Sequence, residues 1–265
     1  MPRNSMAGTV VIVPCFNEEK RLDVRRFRAF SDSVGDVRIC FVDDGSTDGT
    51  AEILAELTDY DENVFEVLRL PRNSGKAEAV RRGFQTAFPQ RPEFVGYWDA
   101  DLSTALEDIV TFRDLLRERR HFDMVFGSRV KLLGRRIERN ELRHYLGRVF
   151  ATFVSFMLNL PIYDTQCGAK LFRVTPHFSS LFDQPFQTRW FFDVEIIARH
   201  MALVRRMSGL RAAEDVIYEL PLMEWVNAEA SKVGITTYFG AAFDLLTIFL
   251  HYKLYRRVLG GGRPE

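Results

Sequence analysis

The segment Phe94-Val95-Gly96-Tyr97-Trp98 runs straight into Asp99-Ala100-Asp101, and this junction constrains the chain more than any other stretch. An unbroken apolar run bounded by polar residues reads as a strand buried on both faces. Such strands belong to parallel sheets covered by helices, and the two carboxylates then sit at the strand's C-terminal edge. In extended backbone, residues i and i+2 point to one face. Asp99 and Asp101 can therefore reach a single hard cation, Mg2+ or Mn2+, to which carboxylate oxygens are suited. The same residues can instead serve only to start the next helix, and an isolated Asp-x-Asp does not decide between the two.

The pattern recurs along the first half of the chain. Residues 9–14, Thr-Val-Val-Ile-Val-Pro, form a β-branched run that leads into the polar loop Cys15-Phe16-Asn17-Glu18-Glu19 and a helix over about 21–31. A second strand, 38–42, ends in Asp43-Asp44-Gly45-Ser46-Thr47-Asp48-Gly49-Thr50. There, Thr47 or Asp48 is available to cap a helix over 51–57. A third strand, 65–70, precedes the loop Arg72-Asn73-Ser74-Gly75-Lys76 and a helix with Val80, Phe84, Ala87 and Phe88 at helical spacing. Beyond Asp101, Thr104 and Glu107 make a capping box for a helix carrying Leu106, Ile109, Phe112 and Leu116 on one face. A fifth strand covers 123–127.

Strands alternating with helices predict an α/β fold, a doubly wound and mostly parallel sheet flanked by helices. Ligands bind such sheets beyond the carboxyl ends of the strands. The loops holding Asn17 and Glu18, Asp43 and Asp44, and Asp99 and Asp101 should therefore meet. No Gly-x-Gly-x-x-Gly follows the first strand and no Walker A sequence is present. The signatures of dinucleotide-binding and P-loop proteins are thus missing.

The chain changes character after residue 128. Its formal net charge is zero over 265 residues, which gives no global signal for nucleic acid. Between 129 and 148, however, Arg129, Lys131, Arg135, Arg136, Arg139, Arg143 and Arg148 face only Glu138 and Glu141. The run that follows, 149–158, is apolar nearly all round. A basic segment beside an apolar helix suits an anionic membrane surface, where each cation contributes about 1 kcal/mol. A basic loop followed by a core helix is the competing reading. From 233 to 250 the only charge is Asp244, and Lys253, Arg256 and Arg257 follow. Asp244 would cost roughly 2.5–3.5 kcal/mol at mid-bilayer, which favours a helix lying in the interface over one that spans. The expected organisation is a catalytic domain over 1–232 and a membrane-associating apolar or amphipathic helix with a basic tail over 233–265. Cys15, Cys40 and Cys167 are scattered without zinc spacing, and the first strand begins almost at once. A reduced, cytoplasmic compartment is expected, with the protein peripheral on the cytoplasmic face of a membrane.

Several motifs fall together. They are Val13-Pro14-x-Phe16-Asn17-Glu18-Glu19, Val42-Asp43-Asp44-Gly45-Ser46-Thr47-Asp48-Gly49-Thr50, Asn73-x-Gly75-Lys76, Asp99-Ala100-Asp101-Leu102 and Gly127-Ser128-Arg129. Asp164-Thr165-Gln166-Cys167-Gly168-Ala169-Lys170-Leu171-Phe172 and Arg189-Trp190-Phe191-Phe192-Asp193-Val194-Glu195 extend the set. In these the chain resembles family 2 glycosyltransferases of the GT-A fold, over about residues 9 to 250. Within that family it is most similar to the polyprenyl-phosphate branch of dolichyl-phosphate β-glucosyltransferases and dolichyl-phosphate mannose synthases, and more to the glucosyl members. Ala77 departs from the family's usual glycine. Ser103 stands where many mannose synthases have Gln, which weakens the case for mannose. The N-terminal membrane anchor of the eukaryotic glucosyl enzymes has no match here, so attachment is expected from the helices described above.

The resemblance implies an inverting, metal-dependent transfer of a hexose, glucose from UDP-glucose, onto a polyprenyl phosphate. GDP-mannose as donor, or a soluble enzyme with a sugar hydroxyl as acceptor, are the alternatives. It implies that Pro14, Asn17, Glu18, Asp43 and Asp44 form the nucleotide pocket, with Asp43 or Asp44 accepting from base and ribose; without the resemblance the pair could simply cap the following helix. Lys76 meets uracil or phosphate, and Asp99 and Asp101 hold Mg2+ or Mn2+. Asp193 takes the place of the family's base, or orients the sugar or acceptor, or caps the helix that follows. Arg129, with Ser231 and Lys232, would hold the lipid phosphate. Asp164 and Gln166 shape the sugar and acceptor side, and Trp190 packs on a sugar face or in the core.

Overall fold

The computed structural model describes residues 8–138, 141–226, 244, 247, 248, 250 and 251, with backbone alone at 141–144 and 146. A seven-stranded sheet forms its centre, in the order β3-β2-β1-β4-β7-β5-β8. The strands are β1 Thr9–Cys15, β2 Val37–Asp43, β3 Phe65–Arg69, β4 Phe94–Trp98, β5 Met124–Ser128, β7 Ala169–Arg173 and β8 Ile217–Pro221. All neighbours run parallel except β7, which lies antiparallel between β4 and β5. A separate two-stranded parallel ribbon pairs β6 Arg136–Glu138 with β9 Glu224–Val226. The helices are α1 Val24–Ser33, α2 Thr50–Tyr60, α3 Lys76–Ala87, α4 Asp108–Glu118, α5 Glu141–Leu158, α6 Pro176–Ser180, α7 Phe192–Arg206 and α8 Ala213–Val216. The predicted doubly wound, mostly parallel sheet is present.

Period-two alternation sorts the two cores. Val10 and Ile12 of β1 point into a cluster with Val80 and Phe84 of α3, Val154 of α5 and Ile196 of α7. Val11 and Val13 point the other way, among Phe27 of α1, Leu54 of α2 and Phe112 of α4. Both faces are thus covered, which is why β1 and β4 carry no charged positions. Phenylalanines knit the first cluster together. Phe84 stacks on Phe182 with centroids 4.4 Å apart, and Phe172 stacks on Phe178 at 4.7 Å. Gly83 lets α3 lie close on β1, since a Cβ there would sit 2.4 Å from Ile12 Cγ2.

The strand order places β1 between β2 and β4, so chain direction diverges from β1 to either side. That is the topological switch point, where loops leave a crevice at the carboxyl edge. The loops after β1, β2 and β4 all open there.

Some local expectations are revised. The capping box at Thr104 and Glu107 does not form: α4 starts at Asp108 with Glu107 at its N-cap and no side-chain cap bond. The preceding residues are turned instead around Leu102 at φ +50°, and Ala105 O accepts from Trp98 Nε1 at 3.2 Å. The first helix is capped by Asp23 rather than starting at 21. Neither Thr47 nor Asp48 is the N-cap of α2: Gly49 holds that place without a side-chain cap bond, and Asp48 Oδ1 accepts from Thr50 N at 3.1 Å from one residue further out. Strands β7 and β8 had no counterpart in the strand assignment from sequence. Helix α5 buries Ala151, Val154 and Leu158 and exposes Tyr145, Val149, Phe153 and Phe156. No helix among the described residues is long and apolar enough to cross a membrane. The helix expected over 233–250 falls mostly outside the described residues. Of it, Asp244, Thr247, Ile248 and Leu250 are helical, and Ile248 is fully buried in the core.

Candidate active site

The loops after β1 and β2 hold one another through polar side chains. Asp44 N donates to Cys15 O at 2.8 Å, Asn17 N to Ser46 Oγ at 3.0 Å, and Thr47 N to Asn17 Oδ1 at 2.9 Å. Asn17 takes φ +52°, a left-handed conformation that Asn tolerates better than most residues. Glu18 N donates to Thr50 Oγ1 at 2.8 Å, and the Glu18 carboxylate pairs with Arg21. Pro14 sits in β1 opposite Val42. Asp43 and Asp44 are both buried. Asp43 Oδ1 accepts from Ser46 N at 2.9 Å, while the two oxygens of Asp44 accept from Ser74 N at 2.7 Å and Gly75 N at 2.8 Å. Burial raises the Asp44 carboxyl, and the two N–H bonds offset part of that rise. Asp44 thereby ties the loop before α3 to the end of β2. The loop 188–191 closes over the same place: Arg189 Nη2 donates to Asn73 Oδ1 at 2.6 Å and Ala77 N to Arg189 O at 3.1 Å.

Lys76, the first residue of α3, reaches Asp99 Oδ1 at 2.5 Å and lies 5.7 Å over the Tyr97 ring. Burial alone would lower its ammonium, but the carboxylates of Asp99 and Asp193 reverse the direction and raise it. Asp99 is fixed by its own N–H to Gly168 O at 2.9 Å, and Asp101 Oδ1 accepts from Ser103 N at 3.0 Å. Between them and α4, Leu102 holds φ +50°, an uncommon conformation for a bulky residue and a form of backbone strain typical of working sites. A Cβ at Gly168 would lie 1.8 Å from Asp99 Oδ2, so the absent side chain is what leaves room for this carboxylate. Both carboxylates are partly exposed, and their oxygens suit a hard divalent cation that keeps sites for phosphate oxygens. Among the described residues no group of three or more His, Cys, Asp or Glu gathers to hold a metal, so Asp99 and Asp101 would need ligand oxygens to complete the shell.

Asp193 lies in the first turn of α7 and is buried. The Tyr97 hydroxyl donates to its Oδ1, and Lys170 Nζ stands 2.9 Å from the same oxygen. Lys170 also donates to Tyr97 Oη at 2.9 Å and to Cys167 O at 2.6 Å, and it has no exposed surface. Tyr97 and Lys170 are direct partners across the β4–β7 ladder. Burial and the Asp193 carboxylate push the Tyr97 phenol well above its ordinary value.

Arg129, at the end of β5, grips Asp164 with both prongs, Nε to Oδ2 and Nη2 to Oδ1, each at 2.7 Å. Gln166 N donates to Asp164 Oδ1 at 3.1 Å. A cleft of about 40 Å³ opens here, lined by Arg129, Arg148, Phe150, Tyr163, Thr165 and Gln166. Arg148 lies 3.6 Å over the Tyr163 ring. Thr165 Oγ1 and Gln166 Nε2 are enclosed without a hydrogen-bond partner. A larger cavity, about 510 Å³, is lined by Glu93, Arg117, Arg120 and Arg173 at the opposite edge, where β4 begins and β7 ends. It lies away from the carboxylates, and Arg117 and Arg173 both pair with Glu93 there.

The structure thus brings Asn17, Glu18, Asp43, Asp44, Lys76, Asp99 and Asp193 to one edge of the sheet. Arg129, Asp164 and Gln166 form a neighbouring group beyond β7. Trp190 is about half exposed (48 %) rather than in the core, beside the Arg189 contact with Asn73. Ser231 and Lys232 lie outside the described residues. Tyr97, Lys170 and Arg148 were not singled out from sequence. The signal for Lys170 was a lone cation inside the apolar run Ala169-Lys170-Leu171-Phe172.

The profile of the family described as "Glycosyl transferase family 2" matches residues 10–207. A dolichyl-phosphate β-glucosyltransferase of Trichomonas vaginalis is 30 % identical over 255 residues, 92 % of this chain and 73 % of that one. The human dolichyl-phosphate β-glucosyltransferase is 32 % identical over 260 residues, 91 % of this chain and 75 % of that one. Among solved structures, glucosyl-3-phosphoglycerate synthase from Mycobacterium tuberculosis, in complex with Mn2+, UDP-glucose and phosphoglyceric acid, superposes with a TM-score of 0.64. That match is 15 % identical and covers 93 % of this chain and 79 % of the other, a likeness of fold.

Proposed function

The chain belongs to glycosyl transferase family 2, and from that premise we propose that it transfers glucose from UDP-glucose to a polyprenyl (dolichyl-type) phosphate with inversion. The observation that carries this reading is the convergence of Asp44, Lys76, Asp99 and Asp193 at the switch point of the sheet, tied by the contacts above. The identities to dolichyl-phosphate β-glucosyltransferases over nine-tenths of the chain support the donor and acceptor chosen.

In this reading Asp43 and Asp44 frame the nucleotide pocket with Pro14, Asn17 and Glu18. Asp99 and Asp101 hold Mg2+ or Mn2+, which stabilises the charge that gathers on the departing diphosphate. Lys76 adds a fixed cation on the same side. The acceptor oxygen of a phosphate monoester arrives already ionised. It attacks the anomeric carbon opposite the diphosphate, so an α-linked donor gives a β-linked product. The cleft with Arg129, Arg148, Thr165 and Gln166 offers cations and unpaired donors to the lipid phosphate, as charge-assisted bonds require. The outer face of α5, with Val149, Phe153 and Phe156 exposed, borders that cleft through Phe150 and supports peripheral attachment to a membrane surface.

The test is direct. Radiolabelled UDP-glucose and GDP-mannose are each incubated with a polyprenyl phosphate and Mg2+ or Mn2+, and product is extracted into organic solvent. Label from UDP-glucose in the organic phase is expected, and its absence in the presence of either metal overturns the proposal. Label from GDP-mannose alone would transfer the assignment to the mannosyl branch.

A further inference from the structure

Among the described residues, the ion pair of Lys170 with Asp193 has a place in the core that the chemistry above leaves unexplained. Lys170 is fully buried, its ammonium is 2.9 Å from Asp193 Oδ1, and the Tyr97 hydroxyl donates to the same oxygen. Buried charges of this kind contribute little to stability compared with an apolar pair of the same volume. Yet the ladder sets Lys170 directly opposite Tyr97, so the three groups form one unit anchored to two adjacent strands and α7. Both donors bear on Oδ1. No described residue donates to Oδ2, and that oxygen is not among the fully enclosed atoms without a partner. Asp193 therefore presents one oxygen committed to the protein and one left over.

We propose that Lys170, acting with Tyr97, is a positioning residue that keeps Asp193 charge-balanced and so selects an acceptor that arrives already ionised, such as a phosphate, over one that must give up a proton, such as a hydroxyl or water. The proton balance makes the distinction. When a phosphate oxygen attacks, the new C–O bond forms, the bond to the diphosphate breaks with its electron pair, and no proton changes hands. When water or an alcohol attacks, the same bonds form and break, but a proton must leave the attacking oxygen for Asp193 Oδ2. That transfer would neutralise the carboxylate and leave the Lys170 ammonium alone in the core, a costly arrangement. The pair thus permits the first reaction and opposes the second. The inference rests on the proposed function for its natural acceptor, but hydrolysis of UDP-glucose is read without any lipid.

The experiment compares the full-length wild type with Lys170→Met, Tyr97→Phe and the double variant Lys170→Met/Asp193→Asn. Release of glucose from UDP-glucose to water, and transfer to polyprenyl phosphate, are both measured with Mn2+. Thermal melting with and without UDP and Mn2+ reports the fold. In Lys170→Met, the ratio of hydrolysis to transfer should rise at least about tenfold, a small part of what a freed base can supply. The double variant should return hydrolysis to the wild-type level or below. Tyr97→Phe keeps Lys170 and the ring, and should raise the ratio in the same direction by less; it carries the test alone if Lys170→Met does not fold. Hydrolysis and transfer falling in proportion, or an unchanged ratio, would mean that Lys170 is only a strut and would overturn the inference. A wild type that transfers nothing to the lipid would refute the proposed function and not this one, because the rate of hydrolysis itself should then rise in Lys170→Met and fall back in the double variant, and no rise would overturn the inference.

Discussion

Gly168→Ala separates the metal-binding reading of Asp99 from a purely structural one. Gly168 has no positive φ, so alanine suits its backbone. The added methyl would lie 1.8 Å from Asp99 Oδ2 and 2.1 Å from its Cγ, whereas real Cβ contacts stay beyond 3.0 Å. The carboxylate must therefore withdraw by roughly 1.2 Å or rotate away from its bond to Lys76. The frame around it has no reason to fail. Asp99 is 36 % exposed, its pair with Lys76 is worth no more than about 1 kcal/mol at that exposure, and the lost glycine entropy offsets about 0.4–1 kcal/mol. Melting should stay within about 3 °C of wild type for a domain this size. A ligand moved by about 1 Å, however, costs turnover on the order of 10²-fold. The assay pairs a melting curve with titration of Mn2+ into the UDP-bound protein and with steady-state transfer. Metal affinity should fall about tenfold or more, in line with losing the orientation of a ligand. Unchanged Mn2+ binding and turnover would show that Asp99 does not meet the metal. A drop in melting temperature beyond about 10 °C would show that the methyl strikes the frame and not the carboxylate.

Two further outcomes are expected. Asp108 is pushed up to about 6, mainly by burial and further by Glu107, with Arg135 opposing. Its unfolded value is near 3.9, so between about pH 4 and 6 the folded state holds the proton more tightly, and stability declines as pH rises through 6. The full shift corresponds to at most about 3 kcal/mol, and partial exposure reduces it. Asp108→Asn should remove that decline in urea melts at pH 4.5 and 7, and an equal decline in both proteins would refute the assignment. On α5, Phe153 and Phe156 are 52 % and 85 % exposed. Replacing both with Ser should cut binding to phosphatidylserine vesicles by at least tenfold, since each buried Phe contributes about 1.5–3 kcal/mol, while UDP binding stays as it was; unchanged vesicle binding would remove α5 from the membrane surface.

How legible this site was depends on whether its residues lie on one strand or between strands. Asp99 and Asp101 stood out because a strand end is a local property, visible in a run of eight residues; the extended period-two geometry expected for them is not kept, since β4 ends at Trp98 and the chain turns at Ala100 and Asp101. The loops at Asn17 and Asp44 could be assigned to the same edge because every strand before residue 100 runs parallel, so all their C-terminal ends coincide. Strand β7 breaks that rule. It enters antiparallel between β4 and β5, a placement set by pairings with strands some 45 to 75 residues away, as Phe126 and Tyr97 both meet Lys170. No periodicity in the sequence reports such a register. Lys170 stands out in sequence only as a lone cation in the apolar run 169–172, with nothing to name Tyr97 as its partner, and Arg148 as one of several cations in a basic stretch.

The same reasoning accounts for the revised capping box. Thr104 and Glu107 have the right spacing to start a helix, and nothing local forbids it. The chain turns instead at Leu102, because Asp99 must stay on Gly168 and Trp98 must reach Ala105 O. Those two bonds fix both sides of the Asp-Ala-Asp turn, so helix geometry can begin only after them, at Asp108. A non-glycine residue at φ +50° and a delayed helix start are thus a single compromise, in which local preference yields to the placement of two carboxylates. Where sequence rules fail on this rim, they fail next to the residues that would hold the cation, and among the described residues no other bulky apolar side chain takes a positive φ.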